Sequence, residues 1–540
     1  MLLALILGAA LGLRLSGIQW GLPSKNRALT TYHPDEPKSY YSLERMNPSR
    51  LDFHPTDGLY WGSLHLYALG ASLEGAKTLG WIKAPSRQFL IDNLHFADRL
   101  YMVGRLLSIV FGVATVFLIY RIGAQWSASL GLWASFFLAV APVHFIHSFF
   151  VRPDILMVFF AFSCFYFSLR MLEEETSGLK YCVWAGLLSG LAAATKYNGG
   201  MFLVCPWIAC HLRRTKASFY FYAAGASFFG FVVGCPYALI DFPTFLKYLS
   251  SNASMAKESL SSLLYGPGWI SYLTLHLPLG LGKATTILAA GGLITLLVLT
   301  LRKKYLGPDI KRNLLLIFSG TVVYILTTMP KQQMTTYSLP IVPFFSIFAG
   351  VFILQISQRF VVRWVSLVLI AILLTYNVVY ALAFANLYGQ KNIREIASEW
   401  IESHILKGES IGIARSYFWT PGVLRQYRPP YRLIEAGGPQ SLLDQAVLNL
   451  ENVGKDARYL VLSEYETRDY LNPKLAAYYP KQREVIEKTL EGYREMVRFE
   501  KDAQFLGFKF QGNSFPPPDW LFPNPKIRIY EKMKMAHGNE

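Results

Sequence analysis

The amino-acid sequence predicts a mainly α protein, in which a polytopic transmembrane helical domain precedes a C-terminal α/β domain. Hydrophobic residues make up 53% of the chain and charged residues 16%, a balance too apolar for an ordinary soluble protein. Apolar stretches of about 20 residues recur as far as residue 384 and then stop. We therefore expect residues 1–384 to form the membrane domain and residues 385–540 to form a soluble domain.

Each apolar stretch is about as long as a helix must be to cross the hydrocarbon core of a bilayer. About eleven spans are predicted, at 1–20, 101–122, 128–147, 155–172, 179–194, 199–212, 218–237, 283–301, 314–329, 339–356 and 361–383. The first has no basic start and no clear cleavage site, which favours an uncleaved helix over a signal peptide. The fifth and sixth are short, and short paired segments often dip partway into the membrane.

The positive charge of the chain is spread over short loops between the spans. Nucleic-acid binding would need the net charge of +17 to be gathered in one stripe with interleaved aromatic residues, so we exclude that class of partner. Basic residues that include Arg121, Arg213 and Arg312 fall on one side of the predicted membrane. The positive-inside rule makes this side the cytoplasm, with anionic membrane lipids as partners of the cations.

The predicted topology begins inside and ends outside. The N-terminus is then cytoplasmic and the C-terminal domain extracytoplasmic, in a multi-pass protein of the plasma or inner membrane. Three regions face the exterior: residues 21–100, 238–282 and 385–540. They contain none of the five cysteines, so they cannot be stabilised by disulfides.

The C-terminal domain carries patterns of both strands and helices. Apolar runs or alternation predict strands at 409–415, 458–464 and 526–531. Helical spacing predicts helices at 392–406 and 480–496. Together these patterns predict a small α/β domain.

Two adjacent acids follow the first span. Asp35 and Glu36 lie beside His33, and flanking prolines stiffen the turn. A carboxylate at an apolar boundary is expected to have a shifted pKa, which is typical of a general base. Taken alone, the segment fits a solvated acidic loop equally well.

Further charged residues stand at the outer ends of later spans. Arg152 and Asp154 flank Pro153 at the start of the fourth span, where unpaired charges are unfavourable. A helix start explains Pro153 and Asp154 but leaves Arg152 without a purpose. Lys196 and Lys331 occupy similar positions, and anchoring to lipid headgroups is the competing explanation for their long side chains.

The predicted topology brings these acids and cations to one face of the membrane. A carboxylate can take a proton from an acceptor hydroxyl, and cations can hold a phosphate leaving group. Transfer from a lipid-linked phosphate requires both. The aromatic residues of the first outer loop have two interpretations: they contact such a lipid donor, or they form an ordinary aromatic belt at the membrane interface. These residues include Tyr60, Trp61, Tyr67 and Trp81.

The order of these motifs resembles that of a known family. The matching residues are Asp35 and Glu36, His54 and Pro55, Arg152 and Asp154, residues 195–199, and Lys331, Tyr337, Leu339, Pro340 and Pro343. In that family a second proline is common at the position where this chain has Thr56. On these motifs residues 1–383 are similar to the GT-C superfamily of membrane glycosyltransferases, in the branch of the protein O-mannosyltransferases and aminoarabinose transferases.

The resemblance implies a GT-C fold and an inverting transfer. A sugar would leave a polyprenyl or dolichyl phosphate as a hydroxyl of a protein, lipid or glycan attacks its anomeric carbon. Asp35 would be the general base, and Glu36 would orient substrate or support Asp35. Asp154 would either coordinate a divalent cation (Mg, Mn or Zn) or hold a catalytic partner, because branches of the family differ in their need for metal.

The resemblance also implies a set of substrate-binding residues. Arg152, Lys196 and Lys331 would bind the lipid phosphate, which Arg grips through two hydrogen bonds and Lys as a point charge. The other residues assigned to substrate binding are His33, His54, Tyr197 and Tyr337.

Two other classes of function compete with a transferase. A transporter or flippase for a lipid or small solute also carries charges beside short broken spans, but it favours inverted repeats, and the sequence shows none. A non-catalytic subunit that displays the C-terminal domain predicts that Asp35, Asp154 and Lys196 can be replaced together without effect.

Overall fold

The computed structural model describes residues 1–173, 178–302, 308–357, 363–438, 442–510, 515–521 and 523–533. Within these ranges a bundle of helices precedes a domain built on a mixed sheet. The first two residues of the last predicted span, 361 and 362, lie outside the described residues.

Among the described residues, five helices are long and apolar enough to cross a membrane. They are Leu94–Gly123, Pro153–Glu173, Lys283–Arg302, Pro308–Thr328 and Arg363–Gly389. Shorter apolar helices accompany them: Leu2–Leu15, Ala128–Ala139, Gly178–Thr195, Ser218–Gly234 and Val342–Ser357. The chain is therefore an integral membrane protein, as predicted. The total of about eleven spans stays a prediction.

Two of the shorter helices, Gly178–Thr195 and Ser218–Gly234, pack closely through glycines. A Cβ at Gly190 would lie 2.0 Å from the carbonyl oxygen of Ser227, and one at Gly186 would lie 2.3 Å from that of Ala223. Only residues without a side chain allow the two backbones to approach this closely. This packing fixes the position of the C-terminal end of the helix Gly178–Thr195, directly before Lys196.

Two predicted spans are interrupted. The stretch 128–147 forms the helices Ala128–Ala139 and Pro142–His147, because a proline disfavours helical geometry in the residue before it. The stretch 199–212 begins within the 3₁₀ helix Tyr197–Leu203 and continues as the α-helix Val204–Arg213. Both interruptions lie beside residues predicted to act in the site.

The two long loops predicted to face the exterior are folded into short helices. Those of the first loop are Pro23–Asn26, Glu36–Glu44, Pro48–Arg50, Thr56–Tyr60, Leu64–Thr78 and Arg87–Asp92. Those of the second include Tyr237–Ile240, Phe242–Glu258 and Ser261–Tyr265. The loops contact each other directly, since the side-chain amide of Asn252 donates a hydrogen bond to the carbonyl oxygen of Tyr60 at 2.7 Å.

The C-terminal domain has seven strands among its described residues. They are β1 (Ser410–Ile413), β2 (Arg432–Glu435), β3 (Tyr459–Ser463), β4 (Tyr493–Phe499), β5 (Ala503–Phe505), β6 (Phe508–Phe510) and β7 (Ile527–Lys532). Five form one sheet in the order β2-β1-β3-β7-β4, and β5 and β6 form a separate hairpin. In the sheet, β1 is parallel to β2 and β3, whereas β7 is antiparallel to β3 and β4. With the helices Ile393–His404 and Pro480–Glu491, this confirms the predicted α/β domain.

The structure corrects two details of the predicted elements. The helix predicted at 480–496 ends at Glu491, and the next residues form β4, where hydrogen bonds to β7 override the helical spacing. The last apolar helix continues to Gly389, past the predicted domain boundary at residue 384. This helix therefore leads directly into the C-terminal domain.

Candidate active site

A cleft of about 570 Å³ opens where the first loop, the membrane helices and the C-terminal domain meet. Its charged lining residues are Asp35, Lys38, Arg152, Lys196 and Asp519. Its aromatic lining residues are Tyr60, Trp61, Tyr197, Tyr337, Tyr417, Phe418, Trp419 and Tyr465. Its apolar lining residues include Met201, Leu249, Met255 and Leu326. The cleft is large enough for a small polar headgroup, and its lining offers both charged and apolar contacts.

Asp35 lies in the cleft at the start of the helix Glu36–Glu44. One carboxylate oxygen is 2.8 Å from Nζ of Lys38, and the other is 3.7 Å from a guanidinium nitrogen of Arg152. Burial raises the pKa of Asp35, but the positive charges of Arg152 and Lys38 outweigh burial and hold the pKa below its ordinary value. Asp35 is therefore ionised at neutral pH and able to accept a proton.

His33 lies behind Asp35 and is fully buried. Its Nδ1 accepts a hydrogen bond from the backbone N–H of Asp35 at 3.1 Å, and its ring lies 4.4 Å from that of Phe150. Burial and the nearby Arg152 lower the pKa of His33 well below its ordinary value, so the ring is neutral. The contact orients the turn that carries Asp35.

Glu36 points away from the cleft into the protein. Both of its carboxylate oxygens accept hydrogen bonds from Arg105, at 2.9 and 2.7 Å, and both side chains are fully buried. Glu36 also accepts from the hydroxyl of Thr31 at 2.6 Å and from the backbone N–H of Val151 at 3.0 Å. Val151 directly precedes Arg152. The carboxylate of Glu36 therefore connects the turn that holds Asp35 to the segment that holds Arg152, the cationic partner of Asp35. Of the two roles considered for Glu36, the geometry favours support of Asp35.

Asp154 is buried between two cations. Its Oδ1 is 2.7 Å from Nζ of Lys196, and its Oδ2 is 3.1 Å from Nε of Arg152. Both carboxylate oxygens are occupied by these ion pairs. A divalent metal ion could therefore bind Asp154 only if it displaced Lys196 or Arg152. Among the described residues, no group of three or more His, Cys, Asp or Glu side chains is arranged to hold a metal. The two ion pairs join Asp154 to Arg152 and Lys196, which both line the cleft.

The two predicted tyrosines also lie in the cleft. The hydroxyl of Tyr197 donates to the carbonyl oxygen of Leu59, which ties the segment after Lys196 to the first loop. The ring centroid of Tyr337 lies 5.4 Å from Nζ of Lys196, and its hydroxyl donates to the side chain of Gln332 at 3.2 Å. The ring of Tyr337 therefore faces the ammonium group of Lys196.

Two predicted substrate-binding residues are placed elsewhere. His54 pairs with Asp241 at 3.0 Å and joins the first and second loops. Lys331 has an exposed side chain, and its backbone N–H donates to the carbonyl oxygen of Ala256 at 2.9 Å. Neither residue is part of the cleft lining. Their roles in substrate binding remain predictions that this geometry does not support.

Several lining residues are absent from the sequence-based set. Lys38 follows Asp35 by one helical turn, and this spacing is a signal that could have identified it. Tyr417, Trp419 and Tyr465 come from the C-terminal domain, far from the motifs in sequence. The rings of Trp419 and Tyr465 are stacked, with centroids 5.5 Å apart. No local pattern indicates that these residues reach the site.

Polar contacts hold the C-terminal domain against the first loop. Arg425 donates to the side chains of Asn26 and Thr30, at 2.9 Å each. Arg27 donates two hydrogen bonds to Glu402, at 2.5 and 2.8 Å. These contacts fix the segment immediately before the acidic motif.

A second interdomain contact is made by Asp519. Its carboxylate accepts hydrogen bonds from the backbone N–H of Thr335 at 3.1 Å, and from the backbone N–H and hydroxyl of Thr336, each at 2.6 Å. The hydroxyl of Thr336 also lies 3.1 Å from Nε2 of His147. Asp519 therefore fixes the turn that continues into Tyr337, inside the cleft.

Asp519→Asn is expected to lower stability by about 1.5–3 kcal/mol, because one amide oxygen cannot replace the three charge-assisted hydrogen bonds. Thermal unfolding of the purified protein in detergent measures the loss. Asp502→Asn, which changes an exposed acid of the same domain, is the control and should have little effect. Equal midpoints for both variants would show that Asp519 does not join the domains.

One part of the chain matches a known family. Residues 96–239 match the family model described as dolichyl-phosphate-mannose-protein mannosyltransferase. This segment contains Arg152, Asp154 and Lys196 but not Asp35. No curated protein sequence matches the chain.

Two solved structures with low sequence identity share the fold, and a third is less similar. The oligosaccharyltransferase AglB of Archaeoglobus fulgidus, in complex with an inhibitory peptide and a dolichol-phosphate, has 11% identity and a TM-score of 0.53, over 96% of this chain and 74% of that chain. An Archaeoglobus fulgidus oligosaccharyltransferase in complex with Zn and sulfate has 10% identity and a TM-score of 0.50, over 95% and 73%. ArnT of Cupriavidus metallidurans, bound to undecaprenyl phosphate, has 11% identity and a TM-score of 0.46, over 99% of both chains.

The fold is similar to that of the two archaeal oligosaccharyltransferases. The family match over residues 96–239 and this likeness in fold agree with the resemblance that the sequence motifs carry.

Proposed function

We propose that the protein is an inverting glycosyltransferase that moves a sugar from a polyprenyl or dolichyl phosphate to an acceptor hydroxyl. The observation that carries the proposal is that an ionised carboxylate, Asp35, shares one cleft with the cations Lys38, Arg152 and Lys196. The fold and the family match support this class of donor, since the structure of AglB, which shares the fold, holds a dolichol-phosphate.

The cations have two tasks in this proposal. In the free protein, Arg152 and Lys38 hold the pKa of Asp35 low, which keeps the carboxylate charged but makes it a weak base. A donor phosphate that binds Arg152 and Lys38 offsets part of the positive charge that lowers the pKa of Asp35. Burial then has the larger effect and raises this pKa, so the carboxylate becomes a stronger base when the donor is bound.

The reaction is a single displacement at the anomeric carbon. The acceptor oxygen forms the new glycosidic bond as the bond between the anomeric carbon and the phosphate oxygen breaks. Asp35 takes the hydroxyl proton, and the leaving phosphate keeps the electron pair. Arg152 and Lys196 stabilise the charge that grows on the phosphate. The nature of the sugar, a hexose or a pentose, is set by contacts within the cleft.

Lys196→Met is expected to weaken binding of undecaprenyl phosphate by about 10- to 100-fold, the equivalent of one hydrogen bond to a charged group. Ligand-induced thermal stabilisation in detergent measures the affinity. Lys196→Arg should restore part of it, and Lys180→Met at the opposite, exposed end of the same helix is the control. Unchanged affinity in Lys196→Met would remove Lys196 from the phosphate site.

A transfer assay in detergent tests the proposed function as a whole. Mass analysis of glycans and glycolipids after deletion of the gene names the missing sugar and its acceptor. The purified protein should then transfer that sugar from its polyprenyl phosphate without a sealed compartment. A flippase or transporter would show no turnover in detergent, and this result would overturn the proposal.

We further propose that the cleft and the C-terminal domain face the outside of the cell, on the basis of the positive-inside charge pattern. Leu406 is 75% exposed on the C-terminal domain. A membrane-impermeant thiol reagent should label Leu406→Cys in intact cells. If Leu406→Cys is labelled only after the membrane is permeabilised, the C-terminal domain faces the cytoplasm and the proposed orientation is wrong.

A further inference from the structure

The hairpin of β5 and β6 is separate from the main sheet of the C-terminal domain. It packs on the last apolar helix, Arg363–Gly389. The ring centroid of Phe510 lies 5.0 Å from that of Tyr380 and 5.9 Å from that of Tyr376. The side-chain amide of Asn386 donates to the carbonyl oxygen of Gln504 at 2.8 Å. The C-terminal domain therefore reaches back along a helix that is long and apolar enough to cross a membrane.

The contact lies well before the end of this helix. Tyr376 precedes Gly389 by thirteen residues, which corresponds to about 20 Å of helix. A Cβ at Gly282 would lie 3.0 Å from Oδ1 of Asn377 and 3.4 Å from the ring of Tyr380. The apolar helix Lys283–Arg302 begins at the next residue.

This second helix indicates the level of the membrane boundary. With 20 residues and a basic residue at each end, Lys283–Arg302 has the length of the hydrocarbon core. Its start therefore lies near one boundary of the core, where lysine side chains reach the headgroups. Since Gly282 contacts Asn377 and Tyr380, Phe510 lies at the same level. The hairpin is thus beside the membrane interface and not in the aqueous part of the domain.

The hairpin presents apolar side chains that the described part of the chain leaves exposed. Leu506 is 79% exposed and Phe508 is 63% exposed. Residues two apart on a strand share a face, so the face of β6 that contacts the helix through Phe510 continues into the exposed Phe508. Lys509 points to the opposite face and is also exposed. Aliphatic, aromatic and lysine side chains in one short segment are typical of an interfacial membrane anchor.

We propose that the β5–β6 hairpin rests in the interfacial region of the bilayer, with lipid as the partner of Leu506 and Phe508. The hairpin would hold the C-terminal domain down on the membrane domain, in addition to the polar contacts made by Arg425 and Asp519. This role is independent of the reaction performed in the cleft.

Spin labels on introduced cysteines test the proposal. Leu506→Cys and Phe508→Cys are labelled with a nitroxide in nanodiscs of phosphatidylethanolamine and phosphatidylglycerol. Leu406→Cys is the matched control: its leucine is 75% exposed, and it lies in the C-terminal domain, 17 residues beyond the end of the membrane helix at Gly389. The five native cysteines are buried, so the unmodified protein reports background labelling. Gel filtration and circular dichroism confirm that each variant is folded.

At residues 506 and 508 the labels should collide more often with oxygen, which concentrates in lipid, than with a water-soluble nickel chelate. At residue 406 the preference should be reversed. If the labels at 506 and 508 are as accessible to nickel as the label at 406, the hairpin faces water and the proposal is wrong.

Discussion

Asp35→Asn is expected to abolish sugar transfer while the protein still inserts and folds. Asparagine has the shape of aspartate but cannot accept the hydroxyl proton, and a positioned general base contributes about 10²- to 10⁴-fold to a rate. The carboxylate also holds Lys38 and Arg152 in the cleft, at 2.8 and 3.7 Å. The measurement is initial rate of transfer from a polyprenyl-phosphate sugar, at equal amounts of purified protein.

Glu44→Gln is the control for this variant. Glu44 lies at the far end of the same short helix as Asp35 and is exposed, so its removal should leave the rate unchanged. Binding of undecaprenyl phosphate should persist in Asp35→Asn, because the three cations remain. Turnover within a few-fold of the unmodified protein would mean that another group takes the proton, and Asp35 would lose its assignment.

Glu36→Gln is expected to destabilise the protein by about 3–5 kcal/mol, the largest effect on stability predicted for a single substitution here. The change leaves the guanidinium of Arg105 buried with its charge unbalanced, since both side chains have no exposed surface. It also weakens the hydrogen bond to the backbone of Val151, beside Arg152. Thermal unfolding in detergent and the yield of folded protein measure the loss.

Glu74→Gln is a matched control, because Glu74 also pairs with a cation. Its partner Lys77 lies 3.3 Å away, but both side chains are about two-thirds exposed, at 69% and 66%. Pairs in water contribute only about 0–1 kcal/mol. If Glu36→Gln were no more harmful than Glu74→Gln, the buried pair would not be what holds the acidic motif in place.

Two short motifs could be assigned to the site from sequence because each lies next to the end of an apolar span. Asp35 follows the first span, and Arg152 precedes the helix Pro153–Glu173. Charged residues at such positions need a partner or a function, and this requirement is visible in the sequence alone. In the structure the two residues lie 3.7 Å apart across the cleft.

The pairing of individual charges was not predictable in the same way. Glu36 and Asp35 are neighbours in sequence, but one faces Arg105 inside the protein and the other faces the cleft. Adjacent residues at a helix start point in different directions, and which direction is buried depends on the helix that packs there. Lys331 was predicted to contact the donor phosphate because of its position in a motif. In the structure its side chain is exposed and is not part of the cleft lining.

The sequence alone determined that the chain is a membrane protein with an α/β domain after it, because hydropathy and local patterns are properties of contiguous residues. Only the tertiary structure decided that this domain completes the cleft. Tyr417, Trp419, Tyr465 and Asp519 reach the cleft through contacts that cross from one domain to the other. Such contacts arise from the packing of surfaces that are far apart along the chain, and no periodicity or spacing within either segment records them.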